Sequence, residues 1–147
     1  MSVKIRGLSA LQSRLENAVQ RSSRGAREAL KRGAHKVLER AQGQSPELYG
    51  NLADAIQLEK VRDDKRRVAF QVSVDGSHAA GSKDQKTVGE YVEPRHEGTY
   101  NLGARSLAKQ SANGLVVGRG FLSRALDDLR EEIEKDVAAN ALKGVGK

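Results

Sequence analysis

Several residue types are scarce or absent in this chain of 147 residues. It contains no cysteine, no tryptophan, two prolines and five aromatic side chains. Without cysteine there is no disulfide framework and no thiolate metal site, which fits a protein that folds in a reducing cytoplasm. No apolar run approaches the about 20 residues that cross a bilayer, and the N-terminus lacks the continuous apolar stretch of a signal peptide. Membrane insertion and secretion are therefore not expected.

Length and composition predict one folded domain. The 37% of hydrophobic residues, taken with 15 glycines, is near the ordinary value for globular proteins. A chain of this length buries roughly 70% of the surface that it exposes when unfolded. We expect a single domain over residues 1–147, with a core built from Leu, Val, Ile and Ala because aromatic residues are few.

The net charge of +7 is concentrated near the N-terminus. Residues 1–44 hold ten lysines and arginines against three glutamates, whereas the rest of the chain has sixteen charges of each sign. A localised positive charge fits contact with nucleic acid or with an acidic partner. It is also what the solvated face of an ordinary helix carries, so both interpretations stay open.

A long amphipathic helix is predicted from about Leu8 to Gln42. Apolar and small residues recur there at steps of three and four, which places them along one side of a helix with 3.6 residues per turn. They are Leu8, Leu11, Leu15, Val19, Ser22, Ala26, Leu30, Val37 and Ala41. The opposite side carries Arg14, Arg21, Arg24, Arg27, Lys31 and Arg32. This basic face is the candidate surface for a DNA channel or an acidic partner.

After the corner at Pro46 the pattern changes from helical to alternating. One face of a strand is predicted from the alternating residues Val68, Phe70, Val72 and Val74. A weaker alternation over 55–61 and the polar run over 62–66 predict a hairpin with that strand, and a third strand is predicted from Val88 to Glu93. The fold class is therefore α+β: a long N-terminal helix, an antiparallel sheet of three to four strands, long glycine-rich loops and a C-terminal helix.

The region of about 76–119 is predicted to be a long flexible loop. Eight of the fifteen glycines lie between Gly76 and Gly120, and a compact domain rarely keeps so much irregular chain without a use for it. One interpretation is a plain surface loop. The other is a pair of arms that become ordered against neighbouring subunits, because binding commonly resides in such loops.

The last helix is predicted to begin near Leu122 or Ser123 and to end near Leu142, with Gly144 as its stop. Its apolar stripe consists of Leu122, Ala125, Leu126, Leu129, Ile133, Val137 and Ala141. Three basic residues against six acidic ones over 121–142 give this helix a net charge of −3. Opposite charges on two helices are ordinary for solvated faces, but they also permit head-to-tail contact between copies in a ring.

No constellation of residues predicts catalysis. The three histidines, His35, His78 and His96, have no spacing that assembles a metal site or a nucleophile triad. Gly118 and Gly120 lack the third glycine of a dinucleotide loop, and no P-loop lysine follows. We predict no enzyme activity, no cofactor and no metal.

Three short segments mark corners of the chain in a fixed order. They contain, respectively, Pro46, Gly50 and Leu52; Tyr91, Glu93, Gly98 and Thr99; and Phe121, Leu122 and Ala125. Together they resemble the phage HK97 gp10-like family of neck and tail-completion proteins. The chain departs from the family pattern by an insertion at 94–97 and by Gly120 in place of the usual proline. We interpret Leu52, Phe121 and Leu122 as fold residues, because proline and glycine turn the chain and the apolar side chains return it to the core.

The resemblance implies a non-enzymatic structural protein of a tailed bacteriophage virion. It implies a homo-oligomeric ring in the neck, which we expect to be sixfold, with twelve copies as the alternative. The implied partners are copies of itself, head-closure or adaptor proteins, and tail terminator or tail tube proteins, with non-specific contact to passing genomic DNA and none to membranes. Assembly would take place in the host cytoplasm. The alternative from the residues alone is a small basic DNA-associated protein, although stacking aromatics are nearly absent from the basic segment.

Overall fold

The structure is a computed structural model, and it describes residues 24–47, 51–64, 67–78, 87–90, 92 and 101–145. The elements in chain order are α1 (Arg24–Gln44), α2 (Asn51–Ala55), β1 (Ile56–Asp63), β2 (Val68–Val74), α3 (Ala104–Asn113) and α4 (Phe121–Val145). Helices and an antiparallel sheet in one chain confirm the α+β class. The predicted helix over 8–23 and the basic residues Arg14 and Arg21 lie outside the described residues.

Helices α1 and α4 pack against each other and form most of the core. The described part of the predicted N-terminal stripe is buried, and so is the whole predicted stripe of α4. The buried α1 residues are mainly small: Ala26, Ala29, Ala34 and Ala41, with Leu30 and Val37 between them. Small side chains allow the two helix axes to approach closely, while the larger Phe121, Leu122, Leu126 and Ile133 of α4 fill the space.

Strands β1 and β2 form an antiparallel hairpin that packs on α1. The register runs from Ile56 opposite Val74 to Asp63 opposite Val68, with an irregularity between Lys60 and Arg62. The predicted buried face of β2 is confirmed, because Val68, Phe70, Val72 and Val74 all belong to the core. Most of β1 is exposed, which explains its weaker alternation.

The predicted third strand from Val88 to Glu93 is wrong for the residues that the structure describes. Gly89, Glu90 and Val92 are helical, and Val92 N–H donates to the carbonyl of Val88 at 2.9 Å. Val88 and Val92 are both fully buried. A spacing of four places two residues on one side of a strand and also on one side of a helix, so this short pattern was open to both structures.

Irregular chain was also predicted where α3 lies, and that prediction is wrong for Ala104–Asn113. This segment has no β-branched residue and no internal glycine or proline, so it has good helix propensity. Gly114 ends the helix in the left-handed conformation at φ +69°, and its N–H donates to the carbonyl of Gln110. The many glycines on both sides concealed a helix of ten residues.

Helix α4 begins close to the predicted position but ends later than predicted. It starts at Phe121, directly after Gly120, whose φ is +69°. It continues to Val145, so Gly144 is not its stop. Glycine costs only about 1 kcal/mol relative to alanine within a helix, which the last turn tolerates.

Candidate functional site

The basic side of α1 and the acidic side of α4 meet within one subunit. Arg32 contacts Asp136 at 3.2 Å, Lys36 contacts Glu132, and Arg40 lies 3.9 Å from Asp128. Each step of four along α1 corresponds to a step of four backwards along α4, as antiparallel helices require. We call these three pairs the charge ladder. The ladder pairs three of the six cations of α1 with carboxylates of the same subunit, so a second copy or DNA would have to compete with those carboxylates for them.

Gln44 extends this interface at the end of α1. Its side chain is almost completely buried, and its amide donates to Asp128 at 2.8 Å. The Gln44 backbone carbonyl accepts the N–H of Gly118 at 2.9 Å. The chain before α4 is thereby attached to the C-terminal end of α1.

A second side of α1 lines a cleft of about 960 Å³ against the hairpin. We call it the basic cleft. The side chains of α1 that line it recur at helical spacing and are Arg24, Arg27, Glu28, Lys31, His35 and Leu38. The hairpin contributes Gln57, Leu58, Lys60, Asp63, Val68 and Phe70. The cleft thus combines an apolar floor with a rim of mixed charge in which cations predominate.

Several charges of the basic cleft are paired across it. Arg27 donates to the Asp63 carboxylate at 2.8 Å and to the Asp64 carbonyl at 2.6 Å. Lys60 reaches Asp63 at 2.7 Å. The hydrogen bond and charge of Lys60, followed by the charge of Arg27, hold the pKa of Asp63 below its usual 3.8. Lys31 makes no ion pair with any described residue, so it is the cleft cation with most freedom to meet a ligand.

Helix α3 binds the end of α1 through polar side chains. Lys109 donates from Nζ to the carbonyl of Gln42 at 2.6 Å and to the carbonyl of Ser45 at 3.0 Å. Asn113 donates to the carbonyl of Gly43 at 2.9 Å. The last carbonyls of a helix lack intrahelical partners and carry partial negative charge, so Lys109 supplies both a hydrogen-bond donor and a compensating charge. Burial lowers the pKa of Lys109, and the nearby charge of Glu47 opposes that effect.

A buried serine completes the attachment of α3. Ser106 is 3% exposed; its hydroxyl accepts the N–H of Glu47 at 2.8 Å and donates to the Glu47 carbonyl at 3.2 Å. The side of α3 that faces the protein is therefore polar: Ser106, Lys109 and Asn113 all bind backbone groups of the segment that ends α1.

The opposite side of α3 is exposed and consists of small residues and one leucine. Its five residues recur at the spacing of one helical face and are Ala104, Leu107, Ala108, Ser111 and Ala112. All five are exposed, and Leu107 retains 49% of its surface. We call this set the outer stripe of α3. A surface helix normally turns its apolar stripe towards the core, so α3 is inverted in this respect.

The structure places the predicted motif residues in two groups. Pro46, Leu52, Phe121, Leu122 and Ala125 are all buried, which agrees with their interpretation as fold residues. The remaining motif residues, Gly50, Tyr91, Glu93, Gly98 and Thr99, lie outside the described residues. Among the basic residues of the predicted face, Arg24, Arg27 and Lys31 line the cleft, whereas Arg32 belongs to the charge ladder.

The sequence interpretation missed α3 entirely. The signal was present as Ala, Leu, Ala, Ser and Ala at positions 104, 107, 108, 111 and 112, a helical period that the surrounding glycines obscured. The capping role of Lys109 had no local signal, because its carbonyl partners are more than sixty residues away along the chain.

Comparisons with known proteins found no relative of this chain. No protein-family model, curated protein or solved structure matches the chain. Within the described ranges, no helix is both long and apolar enough to span a membrane. In the same ranges, no three His, Asp or Glu side chains are grouped so that they could hold a metal ion.

Proposed function

We propose that this protein is a non-enzymatic structural subunit of a tailed-phage neck, which forms a ring of copies between the head and the tail and takes part in tail completion. The observation that carries the proposal is the frame of α1, the hairpin and α4 in that order, with the corner residues Pro46, Leu52, Phe121 and Leu122 buried where the elements meet. Buried corner residues of this kind specify a scaffold, and these four belong to the first and third of the segments that resemble neck proteins.

The outer stripe of α3 also supports an assembling subunit. An apolar helix face that is held outward by a polar inner face does not contribute to folding of the single chain. Contiguous exposed apolar patches of several hundred Å² mark sites of protein contact, and the outer stripe would form part of such a site. In the proposed ring such a surface would lie against a neighbouring subunit, a head-closure or adaptor protein, or a tail protein.

The same proposal includes glycine-rich arms within 76–119 that reach the next subunit or ring. A third or fourth strand of the sheet would have to come from residues other than Gly89, Glu90 and Val92, which are helical. The base of one arm is defined: Val88 N–H donates to the His78 carbonyl at 2.8 Å, and Gly89 N–H donates to the Gly76 carbonyl at 2.9 Å. Residues 79–86 therefore connect two closely spaced ends and can be shortened without opening the base.

A loop-shortened variant tests the arm. Replacing residues 79–86 by Asn-Gly supplies a tight turn, so the monomer is expected to fold with unchanged far-ultraviolet circular dichroism. Ring or particle assembly is expected to fail. If the folded variant assembles normally, the arm is not needed for assembly and this part of the proposal is wrong.

The ring itself is tested by the molar mass in solution. Size-exclusion chromatography with light scattering would be run at about 50 mM and about 300 mM salt, with and without a short DNA duplex, because phosphate contacts weaken steeply over such a range. A discrete oligomer without DNA supports the neck subunit. A monomer that gains mass only with DNA, and loses it again at the higher salt, supports the DNA-associated alternative instead.

The basic cleft is the feature that favours the DNA-associated alternative. Arg24 and Lys31 line the cleft outside the charge ladder. If the cleft contacts DNA or an acidic partner, Arg24→Glu combined with Lys31→Glu will weaken that binding, whereas Lys143→Glu, which changes an exposed lysine of α4, will leave it nearly unchanged. If the unchanged chain, the double variant and Lys143→Glu all bind equally well, Arg24 and Lys31 do not take part in binding and are simply solvated.

A further inference from the structure

We propose that the basic cleft binds an acidic amphipathic segment of an adjoining protein, with carboxylates at one end of the segment and an aliphatic side chain at the other. The inference deepens the proposed function and rests on it in taking the partner to be another protein of the assembly. It begins from the length and the lining of the cleft between α1 and the hairpin.

The cleft is long enough for a peptide. Its lining on α1 runs from Arg24 to Leu38, which is about 21 Å at 1.5 Å per residue. A helix of about four turns spans that length, and so does an extended segment of about six residues. The volume of about 960 Å³ is at the upper end of the range for small-molecule sites, so a peptide fills the cleft better than a small metabolite does.

Cations are available at one end of the cleft. Arg27 is already bound to Asp63 at 2.8 Å. Arg24 pairs with Glu28, one turn further along α1, at 3.3 Å, and the two side chains are 92% and 59% exposed. Exposed pairs of this kind contribute little, and Lys31 has no ion-pair partner among the described residues. Arg24 and Lys31 can therefore bind carboxylates of a partner without the loss of a strong contact.

Two leucines mark the other end of the cleft. Leu38 and Leu58 pack against the core but are only partly buried. Leu38 stands eleven residues after Arg27 on α1, and Leu58 stands five residues before Asp63 on β1. Each leucine is thus about 16 Å along its element from the pair of Arg27 and Asp63. An aliphatic side chain of a partner would cover the apolar surface that the core leaves exposed here.

The two ends of the cleft define the order of residues in the partner segment. Leu38 is seven residues beyond Lys31, about 10 Å along the helix axis. An aliphatic residue and a carboxylate that meet these two side chains stand about three positions apart in an extended segment and about seven in a helix. The segment is therefore apolar towards one end and acidic towards the other.

DNA fits this lining less well, although the cations alone would suit it. Glu28 and Asp63 line the same cleft and would repel phosphates, which also leave the apolar end uncovered. Among the described residues of the cleft, Phe70 is the only aromatic, and it is 9% exposed, so it cannot stack on a base. A second copy also fits less well, since three acidic residues of its α4 are already held in the charge ladder.

A selection experiment identifies the chemistry that the cleft prefers. Random peptides of about fourteen residues, long enough to span the cleft as a helix, would be displayed on yeast and selected with the purified chain. The enriched peptides are expected to combine aspartate or glutamate with leucine, isoleucine, valine or phenylalanine. Enrichment of basic or uniformly polar peptides, or no enrichment at all, would overturn the proposal.

Two pairs of variants locate the binding, with dissociation constants of the selected peptides measured by fluorescence anisotropy. Lys31→Glu is expected to weaken binding about tenfold or more because like charges then face each other. Lys143→Glu makes the same change of net charge at an exposed position of α4 and should leave binding nearly unchanged. Leu58→Thr is expected to weaken binding about fivefold or more because it removes apolar surface. Val61→Thr, at an exposed apolar residue of β1 outside the cleft lining, is its control.

Circular dichroism checks that the four variants fold. Equal affinities of Lys31→Glu and Lys143→Glu for the selected peptides would overturn the proposal. A short DNA duplex that binds more tightly than every selected peptide, and loses that affinity in Lys31→Glu, would overturn it in favour of DNA. A change of oligomer mass in folded Lys31→Glu would assign the cleft to a second copy and would also overturn it.

The same measurements separate this inference from the proposed function. A parent chain that forms rings and selects acidic amphipathic peptides supports both. A parent chain that forms rings but selects no such peptide would overturn the cleft contact alone. A parent chain that stays monomeric at every concentration, yet selects these peptides, would overturn the ring and leave the cleft contact in place.

Discussion

A Cβ atom on Gly33 would lie 2.8 Å from Cγ2 of Ile133 and 2.9 Å from its Cγ1. Carbon atoms in contact are normally about 3.5 to 4.0 Å apart, so at this position of α1 only glycine leaves room for the Ile133 side chain of α4. Ile133 is buried in the core, and its branch carbons cannot move aside without displacing their neighbours. Gly33 therefore sets how closely the two main helices approach.

Gly33→Ala is expected to destabilise the protein by up to about 2 kcal/mol. Overpacking costs typically 1 to 3 kcal/mol, and the better helix propensity of alanine returns about 1 kcal/mol. The free energy of unfolding in urea measures the effect. Gly103→Ala is the steric control, because nothing lies within 4 Å of its added methyl group; it should lose only the preference of an N-cap for glycine over alanine, on the order of 1 kcal/mol or less, and Ile133→Val should not recover that loss. Adding Ile133→Val to Gly33→Ala should recover part of the loss; no recovery would argue against the clash.

Lys109→Met is expected to destabilise the protein by about 1 to 3 kcal/mol, the usual cost of removing a charged hydrogen-bond donor from partly buried acceptors. The carbonyls of Gln42 and Ser45 lose their donor, while methionine keeps a similar volume. Urea unfolding and hydrogen exchange of the α3 amides give the measurements. Lys143→Met, at an exposed lysine of α4, should be nearly neutral; an equal loss at both positions would show that Lys109 acts only as a surface charge.

The pairing of Asp63 predicts a loss of stability in acid. Lys60 and Arg27 lower the pKa of Asp63 in the folded protein below 3.8, so the folded state binds a proton less readily than the unfolded state does. This contribution is present above about pH 4 and is lost as the pH falls through the lowered pKa. Asp63→Asn removes it, so the difference in stability between the parent and the variant should shrink between about pH 5 and pH 2. Glu59→Gln, which changes an exposed acid of the same strand, is the control; a constant difference for Asp63→Asn would contradict the linkage.

The charge ladder predicts coupling between Lys36 and Glu132. Their side chains are each about half exposed, so the pair is expected to contribute only about 0.2 to 1 kcal/mol. Lys36→Glu and Glu132→Lys should each destabilise the protein, and the exchanged double variant should recover most of the loss. The coupling should decrease at about 1 M salt. Lys31→Glu, at a cation of α1 outside the ladder, is the control and should show no coupling to Glu132→Lys. Coupling of the same size there would show that the effect comes from the net charge and not from the specific pair of Lys36 and Glu132.

Where a single element carried a long periodic pattern, the sequence was sufficient to predict it. The seven apolar positions of α4 and the alternating Val68, Phe70, Val72 and Val74 of β2 were predicted correctly because a face that packs in the core imposes its period on many consecutive residues. Ala69 and Ser73, on the other face of β2, are buried as well. Short patterns were not sufficient. Val88 and Val92 fitted a strand and a helix equally, and the five residues of the outer stripe of α3 were too few, and too closely surrounded by glycines, to be recognised.

The contacts of the charged residues of α1 and α4 were also predicted only in part from the sequence. The sequence predicted the basic face of α1 and the acidic balance of α4, but it left open whether these charges meet inside a subunit, between copies or on DNA. The antiparallel packing decides that Arg32, Lys36 and Arg40 meet Asp136, Glu132 and Asp128 of the same chain.

Local chemistry along the chain was therefore enough to establish the α+β class, the two principal helices, the main hairpin and the corner residues that return to the core. It was enough because helical and extended periods are properties of consecutive residues. The close approach at Gly33, the capping of α1 by Lys109, the basic cleft and the outward direction of the α3 stripe follow instead from how distant segments pack. Each of these features joins residues far apart in sequence, and no spacing along the chain specifies which distant carbonyl, carboxylate or methyl group a side chain will meet.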